Sequence, residues 1–316
     1  MATKRSRPSP PPTPPPPAND VSLLDAFATR GWVCIRNLLS PPELRVLQDE
    51  CNALYARQSA EAIAAQGCVL DVMAQCPMGD SDSARVDSKC YLAARSKQLK
   101  SIADGQQGEV FTSLLFEKLP TITAQLLAGC TDTEPETQTD VFFFNEHYVV
   151  KPPKSHVEFR WHRDDDEQLA MCVHRDTIVP YVSAWCALDD ATEANGALQF
   201  VSLDESAVAD EEHDVGILQR RASELVSAGA GDVLFFLSSV WHCSSSNESD
   251  APRRAFYAQY SRERITARPK DADPLSFAIP CTARTTLSRL IVDNGGDSRS
   301  CSKKLKFDVC EAAEGT

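Results

Sequence analysis

Hydrophobic positions along the chain change their period near residue 138. Before that point, apolar side chains recur every three or four residues, which predicts amphipathic helices over residues 21–30, 43–58 and 109–129. Ser40, followed by Pro41 and Pro42, is typical of the start of the second helix, and Pro120 predicts a break in the third. A short strand is predicted after Gly31, whereas residues 57–100 are polar and show no clear period.

After residue 138, short runs rich in aromatic and β-branched residues are separated by clusters of Asp, Asn, Gly and Pro, which predicts strands. The predicted strands are residues 139–151, 177–188, 196–203, 231–242 and 254–262. Helices first and many short strands later favour a mainly β fold with flanking helices, in which a helical layer packs on a core of two sheets. We therefore predict one domain over residues 21–265, with a helical part at 21–137 and a β core at 138–265.

Both ends of the chain differ from this domain. Eight prolines lie between Pro8 and Pro17, so residues 1–20 are predicted to be a disordered proline-rich tail. A partner that recognises proline-rich segments is an open alternative for this tail. Beyond residue 265 the pattern weakens, and residues 266–316 are predicted to form a loosely attached C-terminal extension.

Composition excludes several classes of protein. The formal charge of −13 argues against nucleic-acid binding, which needs a basic surface. The twelve cysteines lack the paired spacing of a zinc site and are too sparse for a disulfide scaffold. No apolar run approaches the length of a membrane span, and no secretory signal is recognisable. We therefore expect a protein of a reducing compartment, the cytoplasm or the nucleus.

Three side chains suggest a metal site. In a strand, residues i and i+2 point to the same side, so His162 and Asp164 can both face the interior of the β core. Together with His242, they would form the two-histidine, one-carboxylate triad of non-haem Fe(II) oxygenases, which leaves three positions on the metal open. A zinc site would instead favour thiolates or four protein ligands.

The tripeptide at residues 162–164 is a weak signal by itself, because His174-Arg175-Asp176 repeats it and His213-Asp214 resembles it. We favour His162, since it follows a strand-like run and precedes a polar segment of the kind expected at the mouth of a β barrel. His174 lies in a segment that is typical of a loop.

An arginine follows the last proposed ligand at a short distance. His242 ends the predicted strand, and Arg253 opens the next one eleven residues later, so a hairpin would bring the two together. Arginine can hold a carboxylate through two parallel hydrogen bonds. Arg254 is adjacent and would face the opposite side, so only one of the two arginines can point inward. The residues alone leave open which one it is.

Several motifs resemble those of the phytanoyl-CoA dioxygenase family, which are Fe(II)- and 2-oxoglutarate-dependent oxygenases. The similarity covers about residues 21–261 and rests on "WHRD", "SAWCALDDATEANGALQFV" and "GDVLFFLSSVWHCSSSNESDAPRR". The family pattern H-x-S-x-x-N-x-S-x-x-x-R is matched position by position, at His242, Ser244, Asn247, Ser249 and Arg253.

This resemblance implies a double-stranded β-helix, also called a cupin-like jelly roll. It implies that His162, Asp164 and His242 bind Fe(II), and that Arg253 binds the distal carboxylate of 2-oxoglutarate. It also places Trp185 in the co-substrate pocket, although a plain core tryptophan is an equal alternative. O2 would be the second co-substrate, with ascorbate as an optional reductant.

The implied activity is hydroxylation of an unidentified small-molecule or lipid-like substrate, with release of succinate and CO2. Relatives that halogenate have a small residue at the position of Asp164, so a carboxylate there indicates hydroxylation or desaturation. The alternatives are a non-catalytic jelly-roll binding module and a metal enzyme on the same core that does not use 2-oxoglutarate. Residues 201–206 depart from the P-G-S-H of relatives, which leaves the substrate open.

An acidic run begins at the proposed carboxylate ligand. Asp164 is followed by Asp165, Asp166 and Glu167. This run is either a solvated loop or a feature that repels polyanions, such as acyl-CoA esters, and favours a neutral or cationic substrate.

Overall fold

The computed structural model describes residues 23–70, 72, 95, 97–99, 105–130, 141–166, 178–204, 215–265 and 278–281. The proline-rich tail lies outside the described residues, as do His174, Asp176 and His213. The predictions made for them therefore stay predictions.

Most of the helices among the described residues lie in the N-terminal part of the chain. The helices are α1 (Leu23–Arg30), α2 (Pro41–Tyr55), α3 (Ala60–Ala65), α4 (Gly105–Ser113), α5 (Leu119–Gly129) and, later in the chain, α6 (Val215–Arg221). At the start of α2, the backbone N–H of Ser40 donates to Oε2 of Glu43 at 2.7 Å, which completes a capping arrangement. Pro120 lies in the first turn of α5, and a π-helical segment, Leu114–Lys118, joins α4 to it. The chain thus stays helical through Pro120, and in place of the predicted break the hydrogen bonding changes to the π-helical pattern just before the proline, which has no N–H to donate to the preceding turn.

Two antiparallel sheets form the core. The strands are β1 (Trp32–Ile35), β2 (Val69–Leu70), β3 (Val141–Lys151), β4 (Phe159–His162), β5 (Val182–Ala187), β6 (Leu198–Phe200), β7 (Val233–Leu237), β8 (His242–Ser244), β9 (Arg253–Ser261) and β10 (Ile279–Cys281). The large sheet has the order β1-β7-β5-β9-β3-β10, with β2 paired to β3, and the small sheet has the order β4-β8-β6. This arrangement confirms the predicted jelly-roll core with its helical layer.

The large sheet has two different faces, which we call the cavity face and the helix face. On β9, the side chains of Arg253, Tyr257 and Gln259 lie on the cavity face, which is turned toward the small sheet. The alternate residues lie on the helix face: Phe256 contacts Phe111 of α4, with ring centroids 6.0 Å apart. Because successive side chains of a strand point to opposite faces, the residues of the site are separated from the residues that contact the helical layer.

Aromatic side chains close the space between the sheets beside the cavity. Trp32 of the large sheet stacks on Phe200 of the small sheet, with ring centroids 4.9 Å apart. Phe236 contacts the same phenylalanine at 5.3 Å. Large aromatic surfaces packed across the interior stabilise the sandwich and fix the spacing of its sheets.

The predicted strand over residues 231–242 is wrong in one respect. Strand β7 ends at Leu237, and a turn follows in which the N–H of Val240 donates to the carbonyl of Leu237 at 3.0 Å. His242 then begins β8, which belongs to the other sheet. The turn is hard to recognise in the sequence because only Ser238 and Ser239 interrupt the apolar run, and nearly all residues around them are buried.

Two further segments differ from prediction. The polar region 57–100 contains α3 and β2, which the sequence pattern did not reveal. Strand β10 pairs with β3, so at least residues 279–281 of the predicted loose extension belong to the large sheet. Within the described ranges, no helix is long and apolar enough to cross a bilayer.

Candidate metal and co-substrate site

The three predicted metal ligands converge where the small sheet meets the cavity. His162 is the last residue of β4 and His242 is the first of β8, and the two are paired across the sheet. Their imidazole centroids are 4.1 Å apart. Asp164 follows two residues after β4, at the start of a helical turn, so it lies beyond the strand that was predicted to hold it.

The distances between the ligand atoms suit a single metal ion. Oδ1 of Asp164 lies 4.0 Å from Nε2 of His162 and 3.6 Å from Nε2 of His242. One ligand atom from each of the three residues falls within 4.8 Å of the others. In the described part of the chain, no other set of three such side chains converges in this way.

Backbone carbonyls orient both imidazoles. Nδ1 of His162 lies 2.6 Å from the carbonyl oxygen of Arg160, and Nδ1 of His242 lies 3.0 Å from that of Val240. A proton on each Nδ1 satisfies these carbonyls and leaves the Nε2 lone pair for a metal. Burial, reinforced by the neighbouring His162, lowers the pKa of His242 to about 4, so this imidazole is neutral at neutral pH, as metal binding requires.

The two oxygens of Asp164 have different partners. Oδ2 accepts hydrogen bonds from Oγ of Ser183 at 2.6 Å, from Nε2 of Gln259 at 3.2 Å and from the hydroxyl of Tyr257. Oδ1 faces the two histidines. Burial opposes ionisation, but the histidines and the hydroxyl donors outweigh it and hold the pKa of Asp164 below its ordinary value. The carboxylate is therefore ionised and arranged to bind a metal through one oxygen.

The two residues that flank His162 face away from the site. The guanidinium of Arg163 lies 5.0 Å from the ring centroid of Trp241, and Trp161 packs in the same cluster. This contact holds the turn after β4 against the outer surface of the small sheet.

A cavity of about 280 Å³ opens in front of the ligands. Arg253 and Trp185 line it together with the three ligands. The remaining lining is partly apolar, with Val69, Val149, Phe159 and Leu198, and partly polar, with Asn145, His147, Ser244, Tyr257 and Gln259. The cavity is thus continuous from the metal ligands to a buried cation.

Arg253 is that buried cation. Arg253 is 1% exposed, and its guanidinium lies 5.4 Å from the ring centroid of Trp185. Its protein hydrogen bonds are long: 3.4 Å from Nε to the carbonyl of Asn195 and 3.2 Å from Nη2 to that of Gly196. None of the ion pairs between described residues involves Arg253, and burial lowers its pKa to about 10. A buried guanidinium without a carboxylate is costly unless a ligand supplies one.

Arg254 has a different environment. On the helix face, its Nε donates to Oδ2 of Asp189 at 2.8 Å and its Nη2 to Oδ1 at 2.6 Å. A further hydrogen bond reaches Asn52 of α2. Arg254 therefore ties β9 to the end of β5 and to the helical layer, which leaves Arg253 as the inward arginine.

The predicted hairpin between His242 and Arg253 is wrong. Strands β8 and β9 belong to different sheets, so His242 and Arg253 face one cavity from opposite walls. The expected proximity is correct, but its cause is the stacking of the sheets.

A glycine allows the turn before β6 to approach Arg253 closely. Gly196 has φ = 87°, a conformation that favours glycine. A Cβ atom there would also collide with the backbone oxygen of Ser245. Gly196 is thus required by the packing beside the buried arginine.

The sequence did not reveal Ser183, Tyr257 and Gln259, the donors to Asp164. They lie on β5 and β9, far from Asp164 in the chain, and look like ordinary strand residues. A usable signal exists, because polar residues at the inward phase of otherwise apolar strands are uncommon unless they have partners.

The acidic run is compensated in part. Asp164 points into the site, and Asp166 is 2.9 Å from Nε of Arg163. Glu167 lies outside the described residues. The suggested repulsion of polyanions stays a prediction.

Many solved structures match this chain, and the following two are among them. The non-heme alpha ketoglutarate dependent carbocyclase SnoK from nogalamycin biosynthesis is 16% identical, with a TM-score of 0.54 over 83% of this chain and 97% of that one. EctD from S. alaskensis, determined with 2-oxoglutarate and 5-hydroxyectoine, is 18% identical, with a TM-score of 0.51 over 85% of this chain and 88% of that one. At these identities the likeness establishes the fold alone.

No curated protein matches the chain significantly. The family described as Phytanoyl-CoA dioxygenase (PhyH), in contrast, matches residues 27–255, which is most of the chain and includes every predicted site residue. The chain therefore belongs to the phytanoyl-CoA dioxygenase family of Fe(II)- and 2-oxoglutarate-dependent oxygenases.

Proposed function

We propose that this protein is a 2-oxoglutarate-dependent hydroxylase of a small-molecule or lipid-like substrate, with His162, Asp164 and His242 as its Fe(II) ligands. One observation carries the proposal: three converging ligand atoms share a cavity with a buried arginine, Arg253, that has no ion-pair partner among the described residues.

The donor set fits Fe(II). Two imidazoles with inward Nε2 atoms and a single carboxylate oxygen supply three ligands on one side. This combination is typical of non-haem Fe(II) oxygenases, whose remaining positions bind co-substrate and oxygen. None of the three ligands is a thiolate, the donor that many structural zinc sites use.

Arg253 and Trp185 fit the co-substrate. The guanidinium would bind the distal carboxylate of 2-oxoglutarate, and the indole beneath it would form one wall of the pocket. A charge-assisted hydrogen bond of this kind contributes about 1.5–3 kcal/mol when it is shielded from water. The burial of Arg253 provides that shielding.

These positions indicate which part of the chemistry the metal would supply and which part the protein would supply. Fe(II), when bound, would supply the activation of O2, coupled to oxidation of 2-oxoglutarate to succinate and CO2 and to oxidation of a substrate C–H bond. The protein would hold the three ligands, orient the keto acid through Arg253 and exclude water with the apolar wall. Asp164 completes the triad as a carboxylate, which favours hydroxylation or desaturation over halogenation.

Two other functions are weighed against this one. A non-catalytic binding module would have no need of three donors that hold Oδ2 of Asp164 and leave Oδ1 for a metal. A metal enzyme that does not use 2-oxoglutarate would have no need of a buried, unpaired Arg253 in the same cavity. Both features support the oxygenase proposal.

Anaerobic addition of Fe(II) and 2-oxoglutarate tests the proposal. We expect the weak visible charge-transfer band of an Fe(II)–2-oxoglutarate chelate, and we expect Arg253→Ala to lose it at moderate co-substrate concentration. Absence of the band from the wild-type protein, with Fe(II) bound, would contradict the use of 2-oxoglutarate.

Arg254→Ala is the matched control. It removes the neighbouring charge and the ion pair to Asp189, so the protein should melt at a lower temperature. The folded fraction should still give the band, because Arg254 lies on the other face of β9. Equal loss of the band in both variants would overturn the assignment of Arg253.

A further inference from the structure

A second buried cation lies directly opposite Arg253. Lys151, the last residue of β3, is the cross-strand partner of Arg253 in the antiparallel pairing with β9. Both side chains are inward, and Lys151 is 0% exposed. Like charges placed opposite one another on adjacent strands destabilise a sheet. An arrangement that buries both needs a reason outside the stability of the sheet.

The partners of Lys151 are neutral oxygens. Its ammonium donates to Oγ of Ser244 at 2.9 Å, to the carbonyl of Ser244 at 3.2 Å and to the carbonyl of Ser245. No carboxylate of the described residues forms an ion pair with Lys151. The two facing cations therefore have no carboxylate partner among the described residues, and a carboxylate of a bound ligand would offset part of their charge.

The contact with Ser244 fixes the direction of a hydroxyl. A serine hydroxyl has one proton to donate, and an ammonium can only donate. Because Lys151 donates to Oγ, the proton of Ser244 must point to a different acceptor. Ser244 is buried and lines the same cavity as Arg253, so the cavity is where that acceptor would lie.

We propose that Lys151 is a positioning residue for the co-substrate: it holds the Ser244 hydroxyl as a donor to the distal carboxylate of 2-oxoglutarate, beside Arg253, and adds a second buried positive charge. This inference rests on the proposed function. Beyond that function, the inference states that Lys151, acting through Ser244, makes the site selective for a five-carbon dicarboxylate.

The electrostatic surroundings of Lys151 predict that the affinity for 2-oxoglutarate depends on pH. Burial, and next the charge of Arg253, lower the pKa of Lys151 to about 7, and the other ionisable groups that act on it are Cys68, Glu158 and Cys243. A carboxylate near Lys151 favours its charged form, so binding of 2-oxoglutarate should raise this pKa and take up a proton. The affinity should therefore fall as pH rises above 7. Burial raises the pKa of both thiols, and Arg253 stays charged below about 10, so these groups keep their charge between pH 7 and 8.5.

The test compares two keto acids on the Fe(II)-loaded protein without oxygen. 2-Oxopentanoate has the length of 2-oxoglutarate but lacks the distal carboxylate, and both can be titrated through the charge-transfer band. We expect Lys151→Met to weaken the binding of 2-oxoglutarate by about 10- to 100-fold, the range for a lost charged hydrogen bond. The affinity for 2-oxopentanoate should be unchanged. Equal weakening of both acids would show a merely structural role and overturn the inference, as would no weakening of either.

Lys154→Met is the matched control. Lys154 is an exposed lysine three residues away, bound to Oδ1 of Asp250 at 3.0 Å and to the carbonyl of Glu248 at 2.7 Å. This variant should bind both keto acids as the wild type does. A comparable loss of 2-oxoglutarate binding in Lys154→Met would contradict a specific role for Lys151.

A second variant keeps the inference testable if Lys151→Met does not fold. Ser244→Ala retains the lysine and should also weaken 2-oxoglutarate selectively, because it removes the donor. Where both single variants fold, their effects should be less than additive in the double variant, since Lys151 acts in part through Ser244. Unchanged 2-oxoglutarate affinity in Ser244→Ala, or full additivity, would overturn the inference.

Measurements at several pH values distinguish the effect of the charge of Lys151 from the effect of its size. Between pH 7.0 and 8.5, the dissociation constant of 2-oxoglutarate should rise by up to about tenfold per pH unit in the wild type and stay flat in Lys151→Met. A flat wild-type profile would contradict the inference. A wild-type protein that binds Fe(II) but gives no band with 2-oxoglutarate would instead refute the proposed function, and the inference with it.

Discussion

The two faces of the large sheet use the same strands for different purposes. On the cavity face of β9, Arg253, Tyr257 and Gln259 present polar groups to a buried space. On the helix face, Phe256 packs against α4, and the hydroxyl of Tyr260 donates to the carbonyl of Leu115 at 2.7 Å. The difference shows that one residue of register decides whether a side chain serves the site or the fold.

This comparison predicts that substitutions on the two faces have separable effects. Changes on the cavity face should alter the binding of metal and keto acid with little loss of folded protein. Changes on the helix face should lower the free energy of unfolding and leave the binding properties of the folded fraction intact.

The largest effect on binding should come from Asp164→Asn. This change keeps the size of the side chain but removes the only carboxylate of the triad. We expect Fe(II) affinity to fall by more than about 100-fold, since loss of an outer partner of a ligand alone costs about 10- to 100-fold. Metal content after anaerobic dialysis measures it. A variant that retains iron would show that Asp164 is not a ligand.

The largest effect on stability should come from Phe256→Ala. Deleting a buried phenylalanine leaves a cavity and costs about 3–5 kcal/mol of unfolding free energy. Urea unfolding of the metal-free protein measures this cost, and an Fe(II) titration of the folded variant should match the wild type. Loss of iron affinity in folded Phe256→Ala would contradict the separation of the two faces.

Acid should destabilise the metal-free protein through His242. Its pKa is about 4 in the folded state because of burial, against about 6.5 in an unfolded chain, so between these values the unfolded state binds the extra proton. The contribution of His242 to the free energy of unfolding is therefore fully present above pH 6.5 and is lost as pH decreases toward 4. The difference between the two pKa values corresponds to a loss of about 3 kcal/mol.

The matched variant for this pH effect is His242→Phe, which keeps a ring but cannot titrate. Urea unfolding of both metal-free proteins at several pH values should show a smaller slope between pH 6.5 and 4 in the variant. Parallel slopes in the two proteins would contradict a buried neutral His242.

The smallest of these effects should come from Tyr257→Phe, next to Phe256 on the opposite face. It removes one of the three donors to Oδ2 of Asp164 and keeps the ring. We expect Fe(II) affinity to fall by about 10- to 100-fold, with a smaller loss of stability than in Phe256→Ala. If Tyr257→Phe loses stability without losing iron affinity, the hydroxyl supports the fold and not the ligand.

Much of the site could be predicted because its key residues lie in local motifs. His162 and Asp164 are two residues apart, and the spacing from His242 to Arg253 matches a family pattern. The prediction survived an error in the local structure, because Asp164 lies beyond β4 and reaches the metal position by way of a turn.

The rest of the site depends on pairing between distant strands. Ser183 and Gln259 are cross-strand partners on β5 and β9, and Lys151 faces Arg253 across β3 and β9. Register between such strands cannot be deduced from one sequence, because a shift by one residue exchanges the two faces. The same limit explains why β2 and α3 were missed: they are short, and their stability comes from packing against β3.

The central claim is that one cavity holds both Fe(II) and 2-oxoglutarate. A crystal structure of the anaerobic complex tests it most directly. We predict iron bonded to Nε2 of His162, Nε2 of His242 and Oδ1 of Asp164, with the distal carboxylate of 2-oxoglutarate on the guanidinium of Arg253. Iron held by other residues, or a keto acid whose distal carboxylate lies away from Arg253, would contradict the account.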